Sequence, residues 1–546
     1  MTFFGNFNSV NISNLKAPVK RVLSLDRKGG FVVYLGVEVR EMVLKDMIGQ
    51  MVWVGFHGTE PSEDVERLIC DHRVGGVVLF SRNVRTPKQV RELTDSLREL
   101  AERSGHELPL VVAVDQEGGG VSCLRDGFTR FPPPMAMGAT GSLEVVRKAF
   151  GVIGRELRTV GVGVDFAPVL DVNTNPENPI IGTRSFGDDP ELVAKLGEEA
   201  VRGLQDEGVV ATAKHFPGHG DTSLDTHLAL PRVGHSTERL RKVELLPFSK
   251  AVDAGVRAVM TTHIVFEALD PELPATVSPK VLTDLLRGEM GFDGVVVTDC
   301  LEMKAMERFW PEVPLMALLA GADVVLISHT YELQVEALKL LGKAVEEGRL
   351  RIEAVSASVG RISALKRRVR IPSIPEDLVS RPEDEAFCRK LSRSALTLVR
   401  GMDLLPLRPS PECRLLLVLP EGERSSWDIL VEEFTGRYPK AEVLRTGTEP
   451  SREDVRRAVG LASGAVVVIV SKDSHLNPAY AELLRALGDT SKSLIVLGVG
   501  TPYELGILPE RAAYLAVYGS QPQLLKGAVE VLSGEIRARG KLPVSL

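Results

Sequence analysis

The sequence predicts an α/β protein in which a (β/α)8 TIM-type barrel is followed by a C-terminal α/β/α sandwich domain. The first observation is length, because 546 residues exceed one ordinary domain. The second is a repeated order of short apolar segments and helical patterns from about residue 45 onwards. The third is that the apolar segments are continuous rather than alternating, as in parallel strands covered on both faces.

Eight candidate strands precede residue 330, and this number and chain length are typical of a barrel. Helical patterns separate them, for example at residues 87–104 and 192–207. A doubly wound open sheet is the alternative architecture. The candidate strands are residues 51–56, 75–81, 110–115, 161–166, 209–213, 258–262, 294–298 and 322–328.

Polar residues stand at or just after the ends of six candidate strands. In a barrel the carboxyl ends of all strands meet at one mouth, whereas in an open sheet only those near the switch point meet. The pattern therefore favours the barrel and predicts a site at its mouth. The polar residues are Asp115, Asp165, Lys214 with His215, His263, Asp299 and His329.

A second α/β unit follows a charged helical pattern at residues 351–368 and a connector interrupted by prolines. Five candidate strands and the helical patterns between them predict a three-layer sandwich around a parallel sheet. These strands are residues 414–419, 441–445, 464–470, 493–498 and 512–518. We expect an N-terminal extension with little order (1–40), a catalytic barrel (41–370), a linker (371–395) and the sandwich (396–546).

Composition excludes several classes of protein. A net charge of -7 gives no basic surface for nucleic acid. No apolar run reaches the ~18 residues of a membrane span, and no signal-peptide pattern is present. The five cysteines are widely spaced, which predicts free thiols rather than disulfides or a zinc site. We therefore expect a cytoplasmic protein with neither nucleic-acid nor membrane partners; an exported form and the oligomeric state stay open.

Residues 214–227 hold three histidines and two aspartates directly after a buried strand. Such a density of titratable groups indicates a functional site. Asp225 and His227 form an Asp-x-His pair, in which the carboxylate raises the basicity of the imidazole and suits it to general acid/base catalysis. A loop histidine bonded only to its neighbour is the alternative. A metal site that adds His219 and Asp221 to this pair fits no standard zinc spacing.

Three further residues are candidates for the site. Asp299 closes a run of β-branched residues and is a candidate nucleophile or base, or else a helix N-cap. Asp115 precedes three glycines that allow a ligand to approach the backbone, and Arg184 follows a loop rich in Pro and Asn. Both can bind ligand hydroxyls, or they can belong to buried ion pairs.

Four ordered motifs resemble those of the family 3 glycoside hydrolases, in particular the two-domain form of the bacterial β-N-acetylglucosaminidase branch. They are Asp115-Gln-Glu-Gly-Gly, Gly182-Thr-Arg-Ser-Phe, Lys214-His-Phe-Pro-Gly-His-Gly with the later Asp-x-His, and Gly294-Val-Val-Val-Thr-Asp. The resemblance covers the barrel and, more loosely, the second domain. It implies a glycosidase that needs no metal or organic cofactor and takes a small carbohydrate substrate.

The resemblance also implies a role for each matching residue. Asp299 matches the nucleophile, His227 the acid/base and Asp225 its dyad partner. The residues that match sugar-binding positions are Asp115, Arg184, Lys214 and His215. The implied reaction is a retaining double displacement that releases terminal N-acetylglucosamine from small glycoconjugates such as peptidoglycan fragments.

One departure from the family pattern leaves the sugar and aglycone preference open. Gly120 and Cys123 stand where the family usually has arginines, and Arg125 is the nearest candidate to compensate. A β-glucosidase or β-glycoside phosphorylase of the same family is the alternative function, and a non-catalytic sugar sensor is a third. We expect the second domain to brace the barrel, because the barrel already holds both catalytic groups.

Overall fold

The structure is a computed structural model that describes residues 22–25, 31–34, 37–223, 230–369, 378–408 and 413–546. The strands up to residue 330 are, in chain order, β1 (Val22–Leu25), β2 (Phe31–Tyr34), β3 (Val52–Gly55), β4 (Gly76–Leu79), β5 (Val111–Val114), β6 (Gln116–Gly118), β7 (Val121–Ser122), β8 (Val164–Asp165), β9 (Val210–Phe216), β10 (Arg232–Val233), β11 (Ala258–Thr261), β12 (Val265–Phe266), β13 (Val295–Cys300) and β14 (Val324–Ile327).

Eight of these strands form a closed parallel barrel, in the order β3, β4, β5, β8, β9, β11, β13 and β14. Each corresponds to one of the eight predicted strands, so the predicted fold is confirmed. The short pairs β6–β7 and β10–β12 lie outside the barrel sheet, and β1 pairs antiparallel with β2 in the predicted N-terminal extension.

Helices surround the barrel, and local sequence sets where they begin. Thr86 accepts a hydrogen bond from the Gln89 N–H ahead of α3, and Pro87 occupies the first turn. The helices are α1 (Val37–Gln50), α2 (Glu63–Cys70), α3 (Pro87–Arg103), α4 (Pro134–Thr140), α5 (Leu143–Thr159), α6 (Pro190–Asp206), α7 (Thr237–Lys242), α8 (Leu245–Asp253), α9 (Val313–Ala320), α10 (Tyr331–Glu346) and α11 (Ile352–Lys366). Lys280–Glu289 is a π-helix, and short 3-10 turns lie at Ser81–Asn83, Gly182–Arg184, Ala275–Val277 and Lys304–Phe309.

Large apolar side chains fill the barrel. Trp53 on β3 is buried and stacks on Phe166 with ring centroids 6.5 Å apart. A Cβ atom at Gly76 on β4 would lie 2.7 Å from the Trp53 ring, so only glycine leaves room for this side chain. The interior is therefore a packed core rather than a channel, and the space for a ligand lies above it at the mouth.

The second domain is built on a six-stranded sheet in the order β15, β20, β19, β18, β16, β17. Its strands are β15 (Thr397–Arg400), β16 (Leu415–Pro420), β17 (Glu442–Thr446), β18 (Val466–Ser471), β19 (Ser493–Gly498) and β20 (Ala513–Ala516). Its helices are α12 (Pro382–Ala395), α13 (Arg424–Arg437), α14 (Arg452–Ala462), α15 (Pro478–Thr490) and α16 (Pro522–Ser533), with 3-10 turns at Met402–Leu404, Ser474–Leu476 and Pro502–Ile507.

The sheet of the second domain differs from the prediction at one edge. The five predicted strands are present and parallel, but β15 adds a sixth that pairs antiparallel with β20. Apolar clusters cover both faces of the sheet, as a three-layer sandwich requires. Within the described residues, no helix is both long and apolar enough to cross a bilayer.

The two domains are in contact beside the barrel mouth. The Tyr503 hydroxyl of the second domain bonds to Asn173 of the loop between β8 and α6. The C-terminal segment also runs back to the barrel, where the Lys541 N–H donates to the Ala139 carbonyl (2.9 Å).

Candidate active site

A cavity of about 480 Å³ opens at the carboxyl ends of the barrel strands. This is the position at which barrel enzymes bind their ligands, and the volume lies within the usual range for a small-molecule site. All the described residues that line it come from the barrel. The polar ones are Asp115, Arg184, Lys214, His215, His219, Asp299, Glu302, Lys304, Ser328 and His329.

Two cations share one buried carboxylate in the wall of the cavity. Arg184 donates two hydrogen bonds to Glu117, at 2.8 Å from Nε and 2.7 Å from Nη2. The Lys214 Nζ lies 2.6 Å from the same carboxylate and 2.6 Å from Asp115. Burial alone would raise the pKa of Glu117, but Arg184 and Lys214 lower it to about 2. Glu117 therefore stays ionised, and Asp115 remains a quarter exposed towards the cavity.

A second buried carboxylate, Asp171, orients His215. Its Oδ2 lies 2.7 Å from His215 Nδ1, and its Oδ1 accepts hydrogen bonds from the backbone N–H groups of His215 and His219. Burial opposes ionisation of Asp171, yet the His215 and His219 contacts lower its pKa. Because Nδ1 of His215 binds Asp171, the other ring nitrogen, Nε2, faces Arg184 and lies 3.4 Å from the Arg184 Nη2.

Asp299 lies near the end of β13 and lines the same cavity. Burial raises the pKa of a carboxyl group, but the charges of His263, His215 and Lys214 and the Cys300 N–H bond (2.7 Å) together lower the pKa of Asp299. The carboxylate is therefore ionised in the neutral range, as a nucleophile must be.

The structure brings five of the seven predicted site residues together in this cavity: Asp115, Arg184, Lys214, His215 and Asp299. The other two, Asp225 and His227, lie outside the described residues. The described chain before them is well anchored: His219 Nδ1 bonds to the Thr222 hydroxyl at 2.9 Å, and the Asp221 carboxylate bonds to His235 and to Thr174.

Two residues expected at the mouth are buried instead. Asp165 accepts a hydrogen bond from the Gln116 N–H, and burial raises its pKa well above the usual value. His263 bonds to the Thr276 hydroxyl and the Cys300 carbonyl. Neither belongs to the cavity lining. Both strand ends therefore support the wall rather than face a ligand.

Sequence reasoning missed Glu117 and Asp171. Glu117 lies inside the Asp115-Gln-Glu-Gly-Gly motif next to the more obvious Asp115, and Asp171 stands at the start of the loop rich in Pro and Asn, which contains no recognised motif at that point. One signal was available, because two buried cations and a buried histidine require carboxylate partners. Which carboxylates serve as partners depends on how distant segments of the chain meet in the fold, and the sequence alone does not show this.

One group of potential metal ligands occurs among the described residues, formed by Cys300, Glu302 and His329. The Glu302 carboxylate is already engaged, because it accepts hydrogen bonds from the backbone N–H groups of Ser328, His329 and Thr330 at 2.6–2.9 Å. Burial raises the pKa of the Cys300 thiol to about 12. These hydrogen bonds explain why the three residues lie together: Glu302 connects the end of β13 to the start of α10.

The two positions at which the family usually has arginines differ in exposure. A Cβ atom at Gly120 would meet nothing within 4 Å, whereas Cys123 is largely enclosed and burial raises its thiol pKa to about 12. Arg125 does not replace them: it is exposed, bonds to the carbonyls of Ser122 and Gly120, and does not line the cavity.

The fold and the cavity together define a barrel enzyme that acts on a small polar ligand. A family model described as "Glycosyl hydrolase family 3 N terminal domain" matches residues 43–365. A β-hexosaminidase A of Pseudoalteromonas piscicida is 30% identical, in an alignment that covers 88% of this chain and 91% of the relative. The chain belongs to glycosyl hydrolase family 3.

Solved structures agree with this assignment. A family 3 β-N-acetylglucosaminidase from Paenibacillus sp. str. FPU-7 is 41% identical, with a TM-score of 0.87 over 92% of this chain and 99% of that chain. A β-glucoside phosphorylase covers 93% of this chain with a TM-score of 0.77, but at 22% identity it shows the fold alone. The predicted family and branch are confirmed, and the chain is a glycoside hydrolase.

Proposed function

We propose that the chain is a retaining exo-β-N-acetylglucosaminidase that releases terminal N-acetylglucosamine from small glycoconjugates such as peptidoglycan fragments. The observation that carries the proposal is one cavity that joins an ionised Asp299 to Asp115, Arg184, Lys214 and His215. The β-hexosaminidase and β-N-acetylglucosaminidase relatives support the choice of sugar.

The buried network suits the recognition of sugar hydroxyls. Asp115 can accept hydrogen bonds from two hydroxyl groups, while Lys214 and Arg184 donate. Glu117 holds both donors, and Asp171 holds His215, in fixed positions before the ligand arrives, so little conformational entropy is lost on binding. A pocket at the barrel mouth, rather than a groove along the surface, suits a terminal sugar and supports exo action.

In the proposed mechanism Asp299 attacks the anomeric carbon and forms a glycosyl-enzyme intermediate. His227, in a dyad with Asp225, protonates the leaving glycosidic oxygen. It then takes a proton from water, which hydrolyses the intermediate and regenerates Asp299. Two inversions give net retention, as in the two-carboxylate scheme, with histidine in place of the carboxylic acid.

The test uses paired aryl β-N-acetylglucosaminide and β-glucoside substrates with the wild type and two variants. We expect hydrolysis of the amino sugar, and a loss of kcat of more than about 10³-fold in Asp299→Ala, because the covalent step has no other nucleophile. Asp293→Ala is the matched control, since this exposed aspartate lies on the same segment just before β13. It should keep wild-type kinetics.

Further readouts separate this function from its alternatives. The anomer released first, followed by NMR, should be β, because double displacement retains configuration. Formation of a sugar 1-phosphate on addition of phosphate would instead show a phosphorylase, and preference for the plain glucoside would show a β-glucosidase. No turnover of either aryl substrate would contradict the proposed function.

A further inference from the structure

The loop that delivers Arg184 rests on the second domain. It runs from β8 to α6, and Asn173 near its start is almost completely buried. The Tyr503 hydroxyl donates to the Asn173 carbonyl (3.0 Å) and accepts from the Asn173 Nδ2 (3.1 Å). Tyr503 follows β19, so these bonds cross from the sheet of one domain to the active-site loop of the other.

Asn173, which Tyr503 holds in place, also binds the turn that carries Arg184. Its side-chain Oδ1 accepts a hydrogen bond from the Gly182 N–H at 3.1 Å. Gly182 begins the 3-10 turn that ends at Arg184, whose guanidinium binds Glu117. Both polar ends of one buried amide are thus engaged, one by Tyr503 and the other by the turn.

Two further contacts place the second domain against the same loop. Thr501 packs on Gly182, where a Cβ atom would lie 3.2 Å from the Thr501 methyl group. His475 Nε2 lies 2.9 Å from the Pro176 carbonyl. Burial raises the pKa of Tyr503 to about 12, so its hydroxyl keeps the proton that it donates.

We propose that Tyr503 is a positioning residue, through which the second domain fixes the place of Arg184 in the sugar site. This rests on the proposed function in one respect, that Arg184 binds the sugar. The barrel supplies the groups that contact the ligand, and the second domain sets where one of them stands.

The test is Tyr503→Phe, which removes one oxygen atom and both hydrogen bonds between Tyr503 and Asn173. We expect KM to rise about 3- to 10-fold, with the inhibition constant of N-acetylglucosamine rising in parallel and kcat within about twofold. The reason is that a loosened Arg184 weakens binding of the sugar in ground and transition states alike. Hydrogen exchange of the peptide around Gly182, followed by mass spectrometry, should become faster.

Tyr480→Phe is the matched control. Its hydroxyl also donates to a backbone carbonyl, that of Val470 at 2.7 Å, but both groups lie inside the second domain. This variant loses a comparable hydrogen bond and some stability, so it reports what a merely structural role would do. We expect unchanged KM, unchanged inhibition by the sugar and unchanged exchange around Gly182.

A double-mutant cycle tests the route through Asn173. Asn173→Ala and Tyr503→Phe remove the same link, so their effects on KM should be far from additive in the double variant. Additive effects would overturn the inference, as would a Tyr503→Phe enzyme with wild-type KM and wild-type exchange at Gly182. If the wild type itself failed to turn over either aryl substrate, the proposed function would fall, and the exchange experiment would still decide the role of Tyr503.

Discussion

At the residue scale, Glu117 links the two cations of the candidate active site while it is itself buried. Its carboxylate binds Arg184 and Lys214 at 2.6–2.8 Å. Removal of one partner from a buried ion pair is strongly unfavourable, because the remaining charges lose their counter-charge without regaining water. The pairing therefore constrains both the stability of the barrel and the geometry of its mouth.

Glu117→Gln should lower the free energy of unfolding by about 3–5 kcal/mol at pH 7 and raise KM. Urea unfolding measures the first effect. Asp115→Asn is the control. Asp115 is partly exposed, and Lys214 keeps Glu117 as its counter-charge, so this replacement should lower the free energy of unfolding by less. An equal decrease in the free energy of unfolding in both variants would contradict the prediction that Glu117 is the main counter-charge of the two cations.

The pH dependence of the Glu117 contribution has a definite sign. Its pKa is about 2 in the folded chain and near 4.5 in the unfolded chain, so the unfolded state binds more protons between these values. The stabilisation is complete above pH 4.5 and is lost as pH falls towards 2. The stability difference between wild type and Glu117→Gln should therefore be constant from pH 7 to pH 5 and smaller at pH 3.5.

The same residues show what sequence could predict of the site. Asp115, Lys214, His215 and Asp299 could be predicted because they stand at strand ends in distinctive motifs. Arg184 could be predicted from its own motif, which follows a loop rich in Pro and Asn. Glu117 and Asp171 could not, because their function depends on partners 67 and 44 residues away along the chain. Partners that meet only through barrel closure leave no local pattern.

At the scale of elements, the turn between β14 and α10 depends on a residue from another strand. Glu302 follows β13 and accepts hydrogen bonds from the N–H groups of Ser328, His329 and Thr330, just ahead of α10. A carboxylate at a helix N-terminus is favourable by charge as well as by hydrogen bonding. Glu302 thereby fixes two residues of the cavity wall, Ser328 and His329.

Glu302→Ala should lower the free energy of unfolding by about 1–3 kcal/mol and raise KM, because three backbone donors lose their acceptor and the wall loosens. Thermal and urea unfolding give the first value and aryl-substrate kinetics the second. The control is Glu332→Ala, an exposed acidic residue in the first turn of α10. It should change stability by less than about 1 kcal/mol and leave KM unaltered. Similar effects of the two substitutions would refute this role.

Among the elements, β15 shows the limit of sequence patterns. Most other strands of the barrel and second sheet could be predicted because they form buried apolar runs; β17, at the opposite edge of the second sheet, is largely exposed and is predicted from its place between helical patterns. Thr397–Arg400 is a half-buried edge segment with a charged end, and it becomes a strand only because β20 offers it an antiparallel partner. Such a segment is defined by its neighbour and not by its own composition.

At the scale of the whole molecule, the two ends of the barrel have different tasks. The carboxyl end holds the candidate active site and the contact with the second domain. The amino end is closed by α11, from which Lys366 reaches the Gln50 side chain (2.5 Å) and the Gly75 carbonyl (2.7 Å). Among the described residues no carboxylate forms an ion pair with this buried ammonium group, and burial lowers its pKa to about 7.

Because of this lysine, the free energy of unfolding of the whole molecule should increase as the pH rises from neutral to alkaline values. The unfolded chain keeps its proton up to about pH 10.5, whereas the folded chain releases it near pH 7. Between these values the unfolded state binds more protons, so raising the pH favours folding, by up to about 1.4 kcal/mol per pH unit. We therefore expect the stability of the wild type relative to Lys366→Met to increase from pH 6.5 to pH 9. Lys343→Met, at an exposed lysine of α10, is the control and should give a curve parallel to that of the wild type. Urea unfolding across this range measures all three proteins, and parallel curves for the wild type and Lys366→Met would show that the buried lysine stays charged.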